Sequence, residues 1–185
     1  MAHTCPWWFG YFLLNPFRRL VQRPSRILRP FVREGMVVVE PGCGMGFFTL
    51  DLVRLVGPRG RVVAIDVQEK MLAGLRRRAE RAGLEGRIDA RLARPDRLGI
   101  DDLRGQVDLA LAFYVVHELE APGAFFAELA AALKPDGAVL VVEPPLHVSR
   151  KGFESSLAAA EGAGLRVVGR PRIGPNKSAL LSLRR

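Results

Sequence analysis

A chain of 185 residues that is 49% hydrophobic and 25% charged can bury one substantial core, and this composition excludes an intrinsically disordered chain. Two cysteines, Cys5 and Cys43, imply no disulfide framework and a reducing compartment, so the cytoplasm is the expected location. The net charge of +9 sits in the ends: residues 1–33 carry six Arg and no acid, and residues 150–185 carry eight basic residues against two Glu. Basic ends suit an anionic partner such as RNA or a lipid surface. Arg outnumbers Lys 24 to 4, which fits genome composition equally well.

The first 33 residues are aromatic, basic and punctuated by Pro6, Pro16, Pro24 and Pro30. They read as a short helical extension or lid on a domain spanning 34–185. The apolar stretch 7–17 is too short to span a bilayer, and Arg18 and Arg19 follow it rather than precede it. Neither a transmembrane segment nor a secretion signal is expected. From residue 36, β-branched runs at 36–40, 61–67, 87–92, 107–112 and 138–143 alternate with helical stripes. Phe48, Leu52, Leu55 and Val56 share one face. Leu72, Leu75, Ala79 and Ala82 form a second stripe, with arginines 76–78 as its solvated flank. Phe125, Phe126, Leu129, Ala130 and Leu133 form a third, opened by Pro122. GPRG at 57–60 and KPDG at 134–137 read as turns after helices. The alternation implies right-handed crossovers and a parallel sheet covered on both faces. A helix near 150–162 is followed by two extended runs, 165–170 and 178–183, with no helix between them, so these should pair antiparallel.

The stretch VVVEPGCGMG at 37–46 places Gly42, Gly44 and Gly46 directly behind a strand and before a helix. A glycine turn there lets a ligand approach bare backbone at a helix N-terminus, although the spacing is not that of the dinucleotide fingerprint. Glu40 ends the first strand. Asp66 ends the next, where a carboxylate can accept hydrogen bonds from both hydroxyls of a ribose.

These residues resemble the class I S-adenosylmethionine-dependent methyltransferases over about residues 34–184. VVVEPGCGMG resembles the family's first motif and VVAIDV its second. VDLALAFYVVHEL resembles the segment that often ends in paired histidines, here His117-Glu118, and LKPDGAVLVVEP resembles the entry to the fifth strand. The resemblance implies a Rossmann-like, doubly wound α/β sheet in the order 3-2-1-4-5-7-6, mostly parallel with an antiparallel terminal strand. It implies S-adenosyl-L-methionine as cofactor and a small-molecule acceptor, as in the quinone-ring and arsenite branch. It places Glu40 near the cofactor's ammonium, Gly42, Cys43, Gly44 and Gly46 along its methionine end, and Asp66 on the ribose. It leaves Val67 or Met71 to pack on adenine, and Phe113 to wall the methionine and the methyl-transfer site. Two departures stand out. AFYV replaces the N/D-P-P-Y box of amino-methylating nucleic-acid enzymes. Arg94-Pro95-Asp96 occupies the place of an acid near the adenine amino group, leaving that role to Asp96 or to backbone.

Methyl transfer from a sulfonium needs mainly alignment, with a base where the acceptor carries a proton. His117 follows the fourth strand, and His147 follows the fifth after Glu143. These are C-terminal strand ends, where open α/β sheets bind ligands. A capping or structural role is the competing reading of each histidine. Cys43 reads as a small turn residue rather than a nucleophile. Tyr114 is a candidate on the acceptor side. His3, Trp7, Trp8 and Tyr11 suit a lid over the acceptor, with core packing or peripheral membrane contact as alternatives. His3 and Cys5 lack a third ligand, so no metal site is expected. The alternative functions are RNA methylation and a non-catalytic cofactor-binding module.

Overall fold

The computed structural model of the chain describes residues 22–184. His3, Cys5, Trp7, Trp8 and Tyr11, and the lid expectation with them, lie outside the described residues. The first described helix, α1 (Pro24–Leu28), opens on a proline, whose missing N–H forfeits no bond in a helix's first turn. Its Leu28 is fully buried.

Two compact units meet in the sequence at Ala93 and Arg94. In the first, β1 (Val37–Pro41), β2 (Arg61–Asp66) and β3 (Ile88–Leu92) pair in parallel, β1 with β2 and β2 with β3. Helix α2 (Thr49–Val56) connects β1 to β2, and α3 (Glu69–Arg81) connects β2 to β3. Val38, Val39, Val62, Val63 and Ala64 are fully buried, as expected of parallel strands covered on both faces. Gly57 ends α2 at φ 67°, a conformation that costs an L side chain steric strain.

In the second unit, β4 (Val107–Phe113) and β5 (Leu133–Glu143) pair in parallel through the crossover helix α4 (Pro122–Ala132). Helix α5 (Arg150–Gly162) starts at Ser149, whose Oγ accepts the Gly152 N–H at 3.0 Å. Then β6 (Leu165–Gly169) and β7 (Lys177–Leu183) pair antiparallel, and β7 also lies antiparallel to β5. The strand order is β3-β2-β1-β4-β5-β7-β6, the order expected from the sequence.

Two expectations are corrected. KPDG at 134–137 is not a turn: it lies inside β5, which begins directly after α4. Val107 pairs with Leu133, and the ladder shifts register before Leu109 meets Ala138, so the extra residues are absorbed as an irregularity. Gly137 permits this, because a Cβ on it would stand 2.7 Å from the Val107 carbonyl oxygen. Nor are arginines 76–78 all a solvated flank. Arg76 and Arg77 are exposed as expected, but Arg78 turns inward to the backbone of residues 45 and 46.

Candidate cofactor and acceptor sites

The first unit builds its site around Asp66, at the end of β2. One carboxylate oxygen accepts the Gly44 N–H at 2.9 Å and the other accepts the Gln68 N–H at 2.9 Å. The Cys43 N–H donates to the Ile65 carbonyl at 3.0 Å, so the glycine turn is sewn to β2 twice in succession. Asp66 is only 8% exposed, and burial raises its pKa against the lowering by these backbone donors.

The glycines of the turn have different reasons to be glycine. Gly42, Gly44 and Gly46 all have positive φ, at 68°, 54° and 80°. A Cβ on Gly44 would meet nothing within 4 Å, so this residue borders open space. A Cβ on Gly46 would collide with Leu75 of α3. Gly44 therefore leaves room for a ligand, and Gly46 lets the turn lie against a helix.

Glu40, at the end of β1, is buried and accepts the Thr49 hydroxyl at 2.6 Å. Burial pushes its pKa up to about 8, the Thr49 bond opposes the rise, and the Asp66 carboxylate adds to it. Cys43 is buried, its thiol faces the Gly44 carbonyl at 3.5 Å, and burial with the two nearby acids holds its pKa well above the usual thiol value. A thiol so protected is a poor nucleophile. Met71 is buried on α3, while Val67 is 41% exposed.

S-adenosylmethionine fits this donor set. Asp66 accepts backbone N–H groups through both oxygens, and a carboxylate has about four acceptor sites, so capacity remains for ribose hydroxyls. Gly44 offers open space beside it. Glu40 is an acid that a neighbouring cation would ionise.

The second unit carries a carboxylate–imidazole pair. Glu143 is 1% exposed, and its Oε1 accepts the backbone N–H of Val116 at 2.9 Å and of His117 at 3.3 Å. Its Oε2 faces His117 Nδ1 at 2.5 Å. With Nδ1 donating to the carboxylate, Nε2 is the acceptor of the neutral ring, which is 28% exposed. The bond to Glu143 raises the His117 pKa, against partial desolvation. Tyr114 is the one non-glycine residue with positive φ among the described residues, at 62°. Its hydroxyl donates to Asn176 Oδ1 at 2.6 Å, and its ring lies 4.6 Å from that of buried Phe113. Held αL geometry in a bulky residue marks a position fixed by its surroundings.

Against the fold and these geometries stand the comparisons. A family profile described as "Methyltransferase domain" matches residues 38–137, which is more than half of the chain. The chain belongs to the methyltransferase domain family. A ubiquinone biosynthesis O-methyltransferase from Bradyrhizobium diazoefficiens is 31% identical to this methyltransferase-family chain over 173 residues, covering 85% of the chain and 64% of that relative. A demethylmenaquinone methyltransferase from Lactococcus lactis is 25% identical over 123 residues, covering 65% of the chain and 48% of that relative. The chain thus spans between about a third and two thirds of the length of the curated relatives it matches. Among solved structures, a SAM-dependent methyltransferase from Aquifex aeolicus superposes with a TM-score of 0.85 at 26% identity, covering 97% of the chain and 99% of that protein. The strand order and antiparallel end of the sheet are those of the class I methyltransferase fold.

In the family frame, Glu40, Cys43, Gly44 and Asp66 are brought together in the first unit, and His117 and Glu143 in the second. Others stay apart. His147 is exposed and makes no hydrogen bond among the described residues. Asp96 is exposed in a short bridged turn, where it faces Arg94 Nε at 3.5 Å. Thr49, Arg78 and Asn176 hold Glu40, the glycine turn and Tyr114 respectively, contacts that the sequence did not reveal.

Proposed function

We propose that this chain binds S-adenosylmethionine on its glycine-turn unit and methylates a small, ring-bearing acceptor whose proton is taken by His117. The observation that carries the reading is Glu143: a buried carboxylate that accepts two backbone N–H groups and orients His117 through Nδ1. Such a group fixes both the tautomer and the aim of the imidazole, which leaves Nε2 as the base. The relatives named for quinone biosynthesis support a ring-bearing acceptor.

Asp66 is assigned to the ribose hydroxyls, Glu40 to the methionine ammonium, and the turn from Gly42 to Gly46 to the methionine backbone atoms. Val67 and Met71 are assigned to adenine. When bound, S-adenosylmethionine supplies a methyl group activated by a sulfonium. The protein's own work is to align the acceptor, exclude water and remove one proton. Phe113 and Tyr114 wall the acceptor side, with Tyr114 held by Asn176. His147 and Asp96 are left without a role. A free buried thiol at Cys43 suits the reducing cytoplasm, which we infer as the location.

The reading is tested by methyl transfer to quinols and other phenols, thiols, arsenite and RNA, detected as release of S-adenosylhomocysteine. Ring hydroxyls or quinol carbons should react, with a rate that rises as pH passes through a His117 pKa above 6.5. Glu143→Gln removes the main cause of the raised pKa. It should move that limb to lower pH and slow turnover by about a hundredfold, the low end of general-base effects. Asp66→Ala should weaken cofactor binding by roughly 10- to 150-fold, from about 1.5–3 kcal/mol for charged hydrogen bonds. Turnover on RNA alone, or unaltered affinity in a folded Asp66→Ala protein, would overturn the assignment.

A further inference from the structure

The glycine turn is held from behind by one face of α3. Arg78 lies four residues after Gly74 and three after Leu75, so it neighbours both on the helix surface. A Cβ on Gly74 would stand 2.8 Å from Met45 Cγ, so this helical glycine makes room for the Met45 side chain. Leu75 fills the place that a side chain on Gly46 would need. Arg78 completes the contact: its Nη1 donates to the Met45 carbonyl and, at 2.9 Å, to the Gly46 carbonyl.

We propose that Arg78 is a positioning residue for cofactor binding: it sets the peptide planes of Met45 and Gly46 and so aims the turn at the methionine end of the cofactor. The inference rests on the cofactor reading given above. A peptide unit is planar, with its C=O and N–H pointing in opposite directions. Holding the Met45 oxygen therefore fixes the Gly46 N–H, which donates back to the Cys43 carbonyl at 3.0 Å. Holding the Gly46 oxygen fixes the direction of the Phe47 N–H in the same way. Glycine at 46 makes this necessary. Its φ of 80° lies in a region where glycine moves freely between conformations, so the turn needs an outside constraint to keep one of them. A guanidinium suits the task, because it is permanently charged and presents its donors in a rigid plane. Arg77, one residue away, is exposed and makes no such contact.

Arg78 does not touch the cofactor in this account. Its effect should therefore fall on the methionine end and spare the nucleoside end, which Asp66 holds from β2. The test compares the wild type with Arg78→Met, Arg78→Lys and Arg77→Met in the full chain. Affinities for S-adenosylhomocysteine and for adenosine are read by calorimetry, and amide exchange of residues 44–47 is followed without ligand. Arg78→Met should lose about tenfold in S-adenosylhomocysteine affinity, the scale of one charge-assisted hydrogen bond, and change adenosine affinity less than about twofold. Its amides at 44–47 should exchange faster. Arg78→Lys should recover part of the affinity, and Arg77→Met should match the wild type. Equal losses for both ligands together with a lower melting temperature would reduce Arg78 to a structural residue and overturn the proposal. Wild-type affinity and exchange in Arg78→Met would overturn it as well. If Arg78→Met does not fold, Arg78→Lys carries the same comparison, and an unchanged ligand ratio there sinks the idea. A wild type that binds neither ligand overturns the cofactor reading itself, a result distinct from a failure of Arg78 alone.

Discussion

At the scale of single residues, burial sets the charge state of Glu40 and Asp66. An acid whose pKa stands near 8 is largely protonated at neutral pH, so the glycine-turn unit carries less negative charge than its sequence suggests. A ligand ammonium placed beside Glu40 would favour the carboxylate and drive the proton off. Cofactor binding should therefore release a proton between about pH 6 and 7.5, below the range where the ligand's own α-amino group titrates. Calorimetry in buffers of different ionisation enthalpy checks this: the apparent binding enthalpy should vary with the buffer. Apparent affinity should rise with pH across the same window. Glu40→Gln should abolish both dependences, and a buffer-independent enthalpy in the wild type would remove Glu40 from the ammonium's surroundings.

Among the elements, the glycine turn and α3 behave as one piece. Gly46 and Gly44 differ in what lies behind them, so their substitutions should fail differently. Gly46→Ala adds a collision with Leu75 to the strain of a positive φ, and should destabilise the fold by about 2–4 kcal/mol. Gly44→Ala carries the φ strain alone, about 1–2 kcal/mol, and puts its methyl group where the ligand is expected. Chemical denaturation and cofactor titration of the two variants should thus rank them in opposite orders. The strands were legible from sequence because buried parallel strands are β-branched runs, as at 37–41 and 61–66. The motif acids were legible because Glu40 and Asp66 lie in the last two residues of those strands. KPDG misled because its proline and glycine signal a turn wherever they occur. Only the partner strand reveals that β5 absorbs them in an irregular register. Arg78 and Asn176 were invisible for a different reason. Each reaches a residue 32 or more positions away in the chain, and no periodicity encodes such a contact.

For the molecule as a whole, the shifted groups push stability in one direction. Glu40, Asp66, His117 and Cys43 all have raised pKa values, so the folded chain binds more protons than the unfolded one. The slope of unfolding free energy with pH is then negative. Glu40's share is complete below its unfolded value of 4.5 and is lost as pH rises through about 8. The share of His117 is complete below 6.5 and is lost through its higher folded value. Cys43 extends the trend above 9. Glu154, lowered by its exposed pair with Arg170, has the opposite sign but is screened by water. The melting temperature of the ligand-free protein should fall between pH 6 and pH 9, at about 2–4 °C per kcal/mol for a chain of this size. A calorimetric scan that is flat or rising over that interval would contradict the burial of these groups.

The same scale gives β7 a meaning in time as well as in space. The strand follows β6 in the chain but lies between β5 and β6 in the sheet. During synthesis β6 therefore emerges before its neighbour, and the open edge of β5 waits with it. Until residues 177–183 leave the ribosome, two strands of the growing chain have unpaired backbone donors and acceptors, the condition under which nascent chains associate with one another. Only seven residues separate the end of β6 from the start of β7, so the hairpin can form locally and then dock on β5 in one move. The interval of exposure is set by the translation of a few tens of residues, and a stalled ribosome within it would leave a chain that belongs to the chaperones.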